Sequence, residues 1–281
     1  MVIPGNKDYQ VNLIVQLNNG KLFMKKTLIA LMIATVSGSA MAESGTVTFS
    51  GTLEVRKNTP WEVIIGKDRP DLNAEIEIGK GMVLLQHNGA IPILGIRTKT
   101  TSLFDAAQSI SPQIDFGGTL DLKENHKGMA KLSVPVKSQA DGKKFATLVA
   151  PLTMGSMAVF YNSEIGAPKK AVLIASEVGD AFFGALSTKD INSLDKETVY
   201  NRITNLSAEF TNNFDFRLLS YGWYDDGFLT SRFNNEEYKY QAFYGSGIES
   251  NQEVRLVLDE PAKTSGHVSW VATLPITVSY M

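Results

Sequence analysis

The chain has 281 residues and no cysteine, and its 27 Lys and Arg against 29 Asp and Glu give a net charge of −2. The lack of cysteine excludes disulfides and thiol chemistry within this chain. The balanced charge, with no basic stripe, argues against a nucleic-acid partner, because such proteins neutralise phosphates with clustered Lys and Arg. The length is sufficient for one large all-β domain or for a domain with an insertion.

The N-terminal region has the pattern of a secretory signal preceded by extra sequence. Met24-Lys25-Lys26 is a basic start, residues 27–36 are apolar and uncharged, and Ala40-Met41-Ala42 has the A-x-A form of a cleavage site. The apolar run is too short for a bilayer span of about 20 residues. We therefore predict export and cleavage after Ala42, the alternative being a genuine N-terminal helix. The predicted segments are an upstream leader that is not native (1–23), a signal peptide (24–42), an N-terminal extension (43–58) and a β domain (59–281).

The N-terminal extension contains a strand with one apolar and one polar face. Its apolar face carries Val47, Phe49, Leu53 and Val55, and Gly51 leaves a missing side chain in the middle of that row. Burial of the four apolar side chains would contribute at most about 6–12 kcal/mol. Such a strand must therefore be paired. The pattern leaves open whether it pairs with its own domain or with a neighbouring molecule.

From Trp61 onward, short apolar segments alternate with Gly, Asn and Pro turns, which indicates an antiparallel β-sandwich. Asp141-Gly142 is the clearest hairpin turn, and Asn88-Gly89 is a second tight-turn signal. The predicted strands, in chain order, are 61–66, 73–79, 82–85, 91–96, 111–116, 119–122, 129–136, 145–152, 214–221, 238–244, 253–258 and 268–280.

Two segments within this run of strands have helical character. The first, residues 171–186, is largely apolar. The second, residues 195–210, places Val199, Ile203 and Leu206 at helical spacing on one face, and Phe210 continues that face. Helices between strands predict a small helical insertion at about 168–213.

The sequence contains no recognisable catalytic or metal site. His87, His126 and His267 are far apart, and none has a second ligand at metal-binding spacing. A nucleophile elbow and a phosphate-binding glycine loop are both missing. We therefore expect no enzyme activity, no metal and no cofactor.

Nine aromatic residues are concentrated between Tyr221 and Tyr244, beside carboxylate and amide side chains. Aromatic faces combined with such groups suit a sugar ring, and we take Trp223 and Tyr224 as the candidate ligand-binding residues. The competing interpretation, which the sequence favours, is that these rings pack a sheet, since aromatic residues favour strands.

The C-terminal strand points to a particular class of protein. Ile276, Val278 and Tyr280 alternate with polar residues, and Trp270 precedes them. This pattern resembles the last strand of subunits of chaperone–usher pili. In several further short sequence motifs, which we call words, the chain resembles the K88-type fimbrial subunit and adhesin family. These words are Pro92-Ile93-Leu94-Gly95 with Arg97-Thr98-Lys99, Pro112-Gln113-Ile114 with Phe116, Lys127-Gly128 with Ala130, and Val134-Pro135-Val136.

The resemblance implies an incomplete immunoglobulin-like antiparallel β-sandwich whose open groove receives the N-terminal extension of a neighbouring subunit. In that arrangement Val47, Phe49, Leu53 and Val55 form the donor strand, and Gly51 marks a place where the groove is too shallow for a side chain. The resemblance favours pairing with a neighbour over pairing within one chain, which the sequence alone would favour.

The resemblance also implies the partners and the location of the protein. A periplasmic chaperone would bind Ile276, Val278 and Tyr280. The subunit would then pass to an outer-membrane usher and join neighbouring subunits in a cell-surface fimbria. A structural subunit, major or minor, is our predicted role, and the alternative is an adhesin that binds host glycans. In family members that bind sugars, the helical insertion carries the binding surface, and here it is shorter between Val178 and Asp190.

Overall fold

The computed structural model describes most of the predicted β domain. The described residues are 59–69, 71–166, 168–215 and 224–281, with only the backbone described at 224–226. All of them lie in one compact unit, Arg56–Met281. The predicted leader, signal peptide and N-terminal extension lie outside the described residues.

Short strands dominate the described chain, and a single short α-helix interrupts them. Single-turn 3₁₀ helices flank the α-helix at Asp190–Asn192 and Ala208–Phe210. The elements are β1 (Trp61–Ile65), β2 (Met82–Leu85), β3 (Ile91–Thr98), β4 (Phe104–Asp105), β5 (Pro112–Asp115), β6 (Leu120–His126), β7 (Met129–Ser138), β8 (Lys144–Tyr161), β9 (Pro168–Leu173), α1 (Val199–Leu206), β10 (Tyr224–Leu229), β11 (Lys239–Ile248), β12 (Val254–Leu258), β13 (Trp270–Ala272) and β14 (Thr277–Tyr280).

Most strands belong to one branched sheet whose main path runs β1-β3-β11-β8-β12-β2. The long strand β8 is its centre: its first half pairs with β7 and β12, and its second half pairs with β11 and β9. Strands β6 and β13 pair with β7, and β4 pairs with β11. A separate small sheet contains β5 and β14.

Two apolar cores lie on opposite faces of the main sheet. The larger core collects inward-facing residues of β3, β7, β8, β11 and β12, together with Phe182 and Phe233. The smaller core lies beneath α1, where Val199, Ile203 and Leu206 pack against Met157. The second half of β8 is therefore buried on both faces.

The predicted fold class is confirmed. The chain is mainly β with open sheets, in agreement with an immunoglobulin-like sandwich, and α1 with its 3₁₀ turns matches the second predicted helix. The Asp141-Gly142 turn joins the antiparallel pair β7 and β8, as predicted. One described pair departs from the antiparallel prediction, because β10 runs parallel to β9.

Several local predictions were wrong. Residues 171–186 do not form a helix: β9 ends at Leu173, and turns follow it. Residues 73–79 form no strand, because this exposed segment lies outside every ladder. The tight turn at Asn88-Gly89 does not make a hairpin, since β2 pairs with β12 and β3 pairs with β1 and β11.

The predicted last strand, 268–280, is broken into β13 and β14, which pair with different partners. The break lies at Pro275, which has no N–H for a ladder. Phe214 and Asp215 are not in a strand, and the rest of the strand predicted at 214–221 lies outside the described residues.

Candidate functional site

The C-terminal strand β14 pairs with β5 along one edge. The pairing extends to the last residue, since Met281 and Ser111 exchange two backbone hydrogen bonds, each 3.0 Å long. In antiparallel ladders, hydrogen-bonded residue pairs alternate with pairs that exchange no bonds. Ser279 opposite Gln113 is therefore the next bonded pair, and Tyr280 opposite Pro112 is not bonded. The N–H and C=O groups of Val278 and Tyr280 consequently point away from β5.

Strand β5 is bonded along its other edge as well. The Phe182 N–H donates to Pro112 O over 2.6 Å, and the Ile114 N–H donates to Phe183 O over 2.9 Å. The Gln113 amide adds contacts to the same segment, donating to Asp180 O and accepting from the Gly179 N–H. Among the described residues, β14 is therefore the outer strand of this small sheet, and no described residue bonds its second edge.

The apolar side chains of the C-terminal segment are only half-buried. They face the larger core at every second position but none of them is fully buried, and the residues between them are exposed. We call these side chains the C-terminal row: Trp270, Ala272, Leu274, Ile276, Val278 and Tyr280. Half-buried apolar groups beside an unbonded strand edge leave a place where an added strand could pack, and we call this place the opening beside β14.

The bend between β13 and β14 is held by a close backbone approach. A Cβ atom at Gly117 would lie 2.5 Å from Cγ of Pro275, and Gly117 has a φ of +59°. The Gly117 N–H also donates to the Asp115 carboxylate over 2.8 Å. The turn after β5 therefore positions the bend from which β14 starts.

Comparison with known proteins bears on what this opening is for. A family model described as fimbrial, major and minor subunit, matches residues 24–281. The chain belongs to this family. It is similar to the K88 fimbrial proteins AD, AB and AC of Escherichia coli, at 25%, 26% and 25% identity, and each match covers 92% of this chain and 100% of the relative. The predicted family resemblance is confirmed, and it implies a fimbrial subunit that associates with other subunits in a surface fimbria.

The structure of this fimbrial subunit describes only some of the site residues that the sequence predicted. Ile276, Val278 and Tyr280 lie on the C-terminal row. The donor-strand residues Val47, Phe49, Gly51, Leu53 and Val55 lie outside the described residues, as does Trp223. Tyr224 is described by its backbone alone, which begins β10 opposite Lys169.

Of the six rings in this segment whose side chains the structure describes, four are buried and serve packing. Phe233, Tyr240, Phe243 and Tyr244 are buried, and Tyr244 stacks on Phe182 with a centroid distance of 5.4 Å. Burial raises the pKa of Tyr240 and raises that of Tyr244 further, so both hydroxyls stay protonated at neutral pH. These four rings therefore pack the sheet, as the competing interpretation predicted, and cannot stack on a sugar.

Tyr238 of this segment and Tyr161 at the end of β8 are partly exposed in a cleft. Tyr161 and Tyr238 line a cleft of about 240 Å³ together with acidic side chains. One of these, Asp105, forms an ion pair with Lys239, with a distance of 2.9 Å from its Oδ1 to Nζ of the lysine. The cleft combines aromatic and carboxylate groups, which is the composition that the sequence associated with sugar binding.

The helical insertion is fastened to the outer face of the main sheet. Arg202 on α1 makes a two-pronged ion pair with Glu249 at the end of β11, with N–O distances of 2.7 and 2.8 Å. Arg97 on β3 donates to the carbonyl of Glu209 over 2.6 Å. A row of three glycines beneath the insertion, Gly95, Gly155 and Gly245, lets its apolar side chains approach the backbone.

The sequence reasoning missed this glycine row, although it contained a signal for it. Gly155 lies inside a strand without a turn nearby, and an isolated glycine in a strand often marks a close backbone approach. Gly245 gave no such signal, because Gly245-Ser246-Gly247 has the pattern of a turn. Within the described part of the chain, no group of acidic or histidine side chains could hold a metal ion. No described helix is long and apolar enough to cross a membrane.

Proposed function

We propose that this fimbrial subunit polymerises by donor-strand exchange. The extension 43–58 of one subunit enters the opening beside β14 of its neighbour and pairs with the free edge of that strand. The observation that carries the proposal is the C-terminal row, whose six side chains face the core and are all left half-buried. The extension offers a matching alternation of apolar residues.

The chemistry of both partners supports this pairing. Main-chain hydrogen bonds to Val278 and Tyr280 would supply affinity, because their N–H and C=O groups point to the free edge. Side chains at every second position of the extension would fill the gaps along the C-terminal row. Gly51 would lie where the opening is too shallow for a side chain.

The same opening gives the subunit a need for a chaperone. An unfilled row of apolar side chains beside an unpaired edge exposes the subunit to aggregation and proteolysis. We propose that a periplasmic chaperone covers Ile276, Val278 and Tyr280 after export, and that an outer-membrane usher then replaces the chaperone with the extension of the next subunit. The subunit is thus periplasmic during assembly and extracellular in the fimbria, and we propose no enzymatic role for it.

We propose a structural role, major or minor, in the fimbria. Four rings of the aromatic segment support it, because Phe233, Tyr240, Phe243 and Tyr244 are buried in the two cores. The adhesin remains the second candidate on one specific observation, the cleft lined by Tyr161 and Tyr238. A sugar held there would contact aromatic and carboxylate groups together.

The test of donor-strand exchange uses the full subunit in complex with its chaperone. A synthetic peptide of residues 43–55 is expected to displace the chaperone, which size-exclusion chromatography detects as free chaperone. The Gly51→Leu peptide should fail, because a large side chain at a shallow position costs about 1–3 kcal/mol. The Ser50→Leu peptide is the matched control, since Ser50 belongs to the polar face. Equal displacement by both variant peptides, or displacement by none of the three, would contradict the proposal.

A further inference from the structure

The connection between β2 and β3 carries an Asn-Gly pair in an open position. Asn88 and Gly89 are both exposed, and Gly89 has a φ of +77°. A Cβ atom at Gly89 would meet no atom within 4 Å. Within the described residues, neither the Asn88 side chain nor the Gly89 N–H makes a hydrogen bond. The Asn88 amide carbon and the Gly89 nitrogen are therefore both accessible.

This arrangement has a chemical consequence. We propose that Asn88 is a site of spontaneous deamidation in the folded subunit. The Gly89 backbone nitrogen loses its proton and attacks Cγ of Asn88. A bond forms between that nitrogen and Cγ, the bond from Cγ to Nδ2 breaks, and the side-chain amide leaves as ammonia. Water then opens the resulting succinimide ring at either carbonyl, which gives aspartate or isoaspartate.

The local surroundings select Asn88 over other asparagines of the described chain. Glycine has no Cβ to crowd the attacking nitrogen, whereas exposed Asn73 is followed by Ala74. Asn125 is buried, which excludes water from its side chain. Asn213 is held by its amide, which donates to the carbonyls of Thr98 and Lys99.

Modification of Asn88 would change the contacts of the neighbouring residue His87. Nδ1 of His87 lies 2.9 Å from Gly89 O, and Nε2 lies 2.8 Å from Gln252 O. The ring therefore lies between the β2–β3 connection and the turn between β11 and β12, and we call this contact the His87 bridge. A neutral imidazole has one N–H, so it donates to one of the two carbonyls at a time. Isoaspartate adds a methylene to the main chain immediately before Gly89, and it introduces a carboxylate. The Gly89 carbonyl must then move relative to the His87 ring, which breaks the bridge.

Gln252 links this bridge to a larger surface feature. It lines a cleft of about 610 Å³ on the outer face of the sheet, together with Met129, Val149 and Pro151. The Gln252 amide also contacts the sulfur of Met129 at 3.6 Å. Release of Gln252 from His87 would therefore loosen one wall of this cleft.

The test follows the modification on assembled fimbriae or on the full subunit in complex with its chaperone. The sample is incubated at body temperature in mildly alkaline buffer, digested with trypsin and analysed by mass spectrometry and isoaspartate-specific methylation. Asn73 is an internal control, because Lys80 places it on a different tryptic peptide from Asn88. The expected result is progressive loss of the unmodified Asn88 peptide while the Asn73 peptide keeps its amide.

Four comparisons decide the outcome. The Asn88→Gln variant should lose the isoaspartate signal, and hydrogen exchange in the β11–β12 turn should rise as wild-type Asn88 is modified. Modification of Asn88 only after denaturation in urea would overturn the proposal, because the fold would then protect the site. Equal modification of Asn73 would also overturn it, and unchanged exchange near Gln252 would overturn the role of the His87 bridge.

Discussion

Gly155 and Gly245 lie directly opposite each other on adjacent strands and leave the outer face of the sheet bare beneath α1. Gly95 continues the row on the other side of Gly245. A Cβ atom at Gly245 would lie 2.3 Å from Cγ2 of Ile203, and one at Gly155 would lie 2.6 Å from Cδ1 of Leu194. The insertion packs against the sheet because these positions have no side chain.

Substitution of Gly245 by valine is expected to destabilise the subunit, although valine favours strands. Overpacking a filled core costs about 1–3 kcal/mol, and here the clash falls on Ile203 and Phe210. Urea denaturation of the subunit, complemented with its own donor strand, measures the change. Gly266→Val is the matched control, because a Cβ at Gly266 would meet nothing within 4 Å. Equal midpoints for the two variants would contradict the packing.

Proline substitutions in β14 should distinguish the roles of its two edges. Val278→Pro removes an N–H that points to the free edge, so the β14–β5 ladder should survive while donor binding weakens by about 0.5–1.5 kcal/mol or more. Ser279→Pro removes an N–H that faces β5 and should destabilise the subunit itself. Peptide displacement and thermal unfolding measure the two effects. The reverse pattern would mean that the edges are assigned the wrong way round.

Tyr280→Ser is expected to leave export intact and to cause degradation of the subunit in the periplasm. Tyr280 closes the C-terminal row, and its loss weakens the surface that we propose for chaperone binding. Immunoblots of periplasmic fractions measure the level of the subunit. Thr277→Ser, at an exposed position of the same strand, is the control. Normal periplasmic levels of Tyr280→Ser would count against chaperone dependence.

The mature protein is expected to start at Glu43. Signal peptidases require small residues at the A-x-A site, which Ala40 and Ala42 supply. Mass spectrometry of the purified subunit reads the N-terminus directly, and Ala42→Leu should block processing. An N-terminus at Met1 in the purified wild type would overturn the prediction of a leader and signal peptide.

Trp223→Ala distinguishes an adhesin from a structural subunit. If the ring is exposed and stacks on a sugar, glycan-array binding is lost and the melting temperature is unchanged. If the ring is buried, stability falls by about 3–5 kcal/mol and the wild type binds no glycan. We expect the second result. Tyr238→Ala tests the Tyr161 cleft in the same assay, and loss of wild-type binding in either variant would establish the adhesin.

Local patterns were sufficient for features that depend on neighbouring residues in the chain. The Asp141-Gly142 hairpin followed from its turn residues and the alternating strands on both sides. The helix α1 followed from Val199, Ile203 and Leu206, which lie on one face and are all buried. The family also followed from short sequence words, and the family match bears it out.

A short apolar run misled the prediction, because such a run fits a buried strand as well as a helix. Val172 lies in the smaller core, whereas Leu173 and Ala175 lie in the larger one. This double burial depends on β8, β10 and α1, which lie elsewhere in the chain. The sequence could not reveal it without the sheet order.

Pairing between distant strands was likewise decided by the tertiary structure. The sequence alone determined the alternation of Ile276, Val278 and Tyr280, because side chains of any extended strand alternate between faces. The edge of β14 that pairs with β5 is decided by contacts with Pro112 and Ile114, which lie more than 160 residues earlier in the chain. Strand partners are chosen by the free energy of the whole assembled core, so the open edge that we propose for assembly exists only once that core has formed.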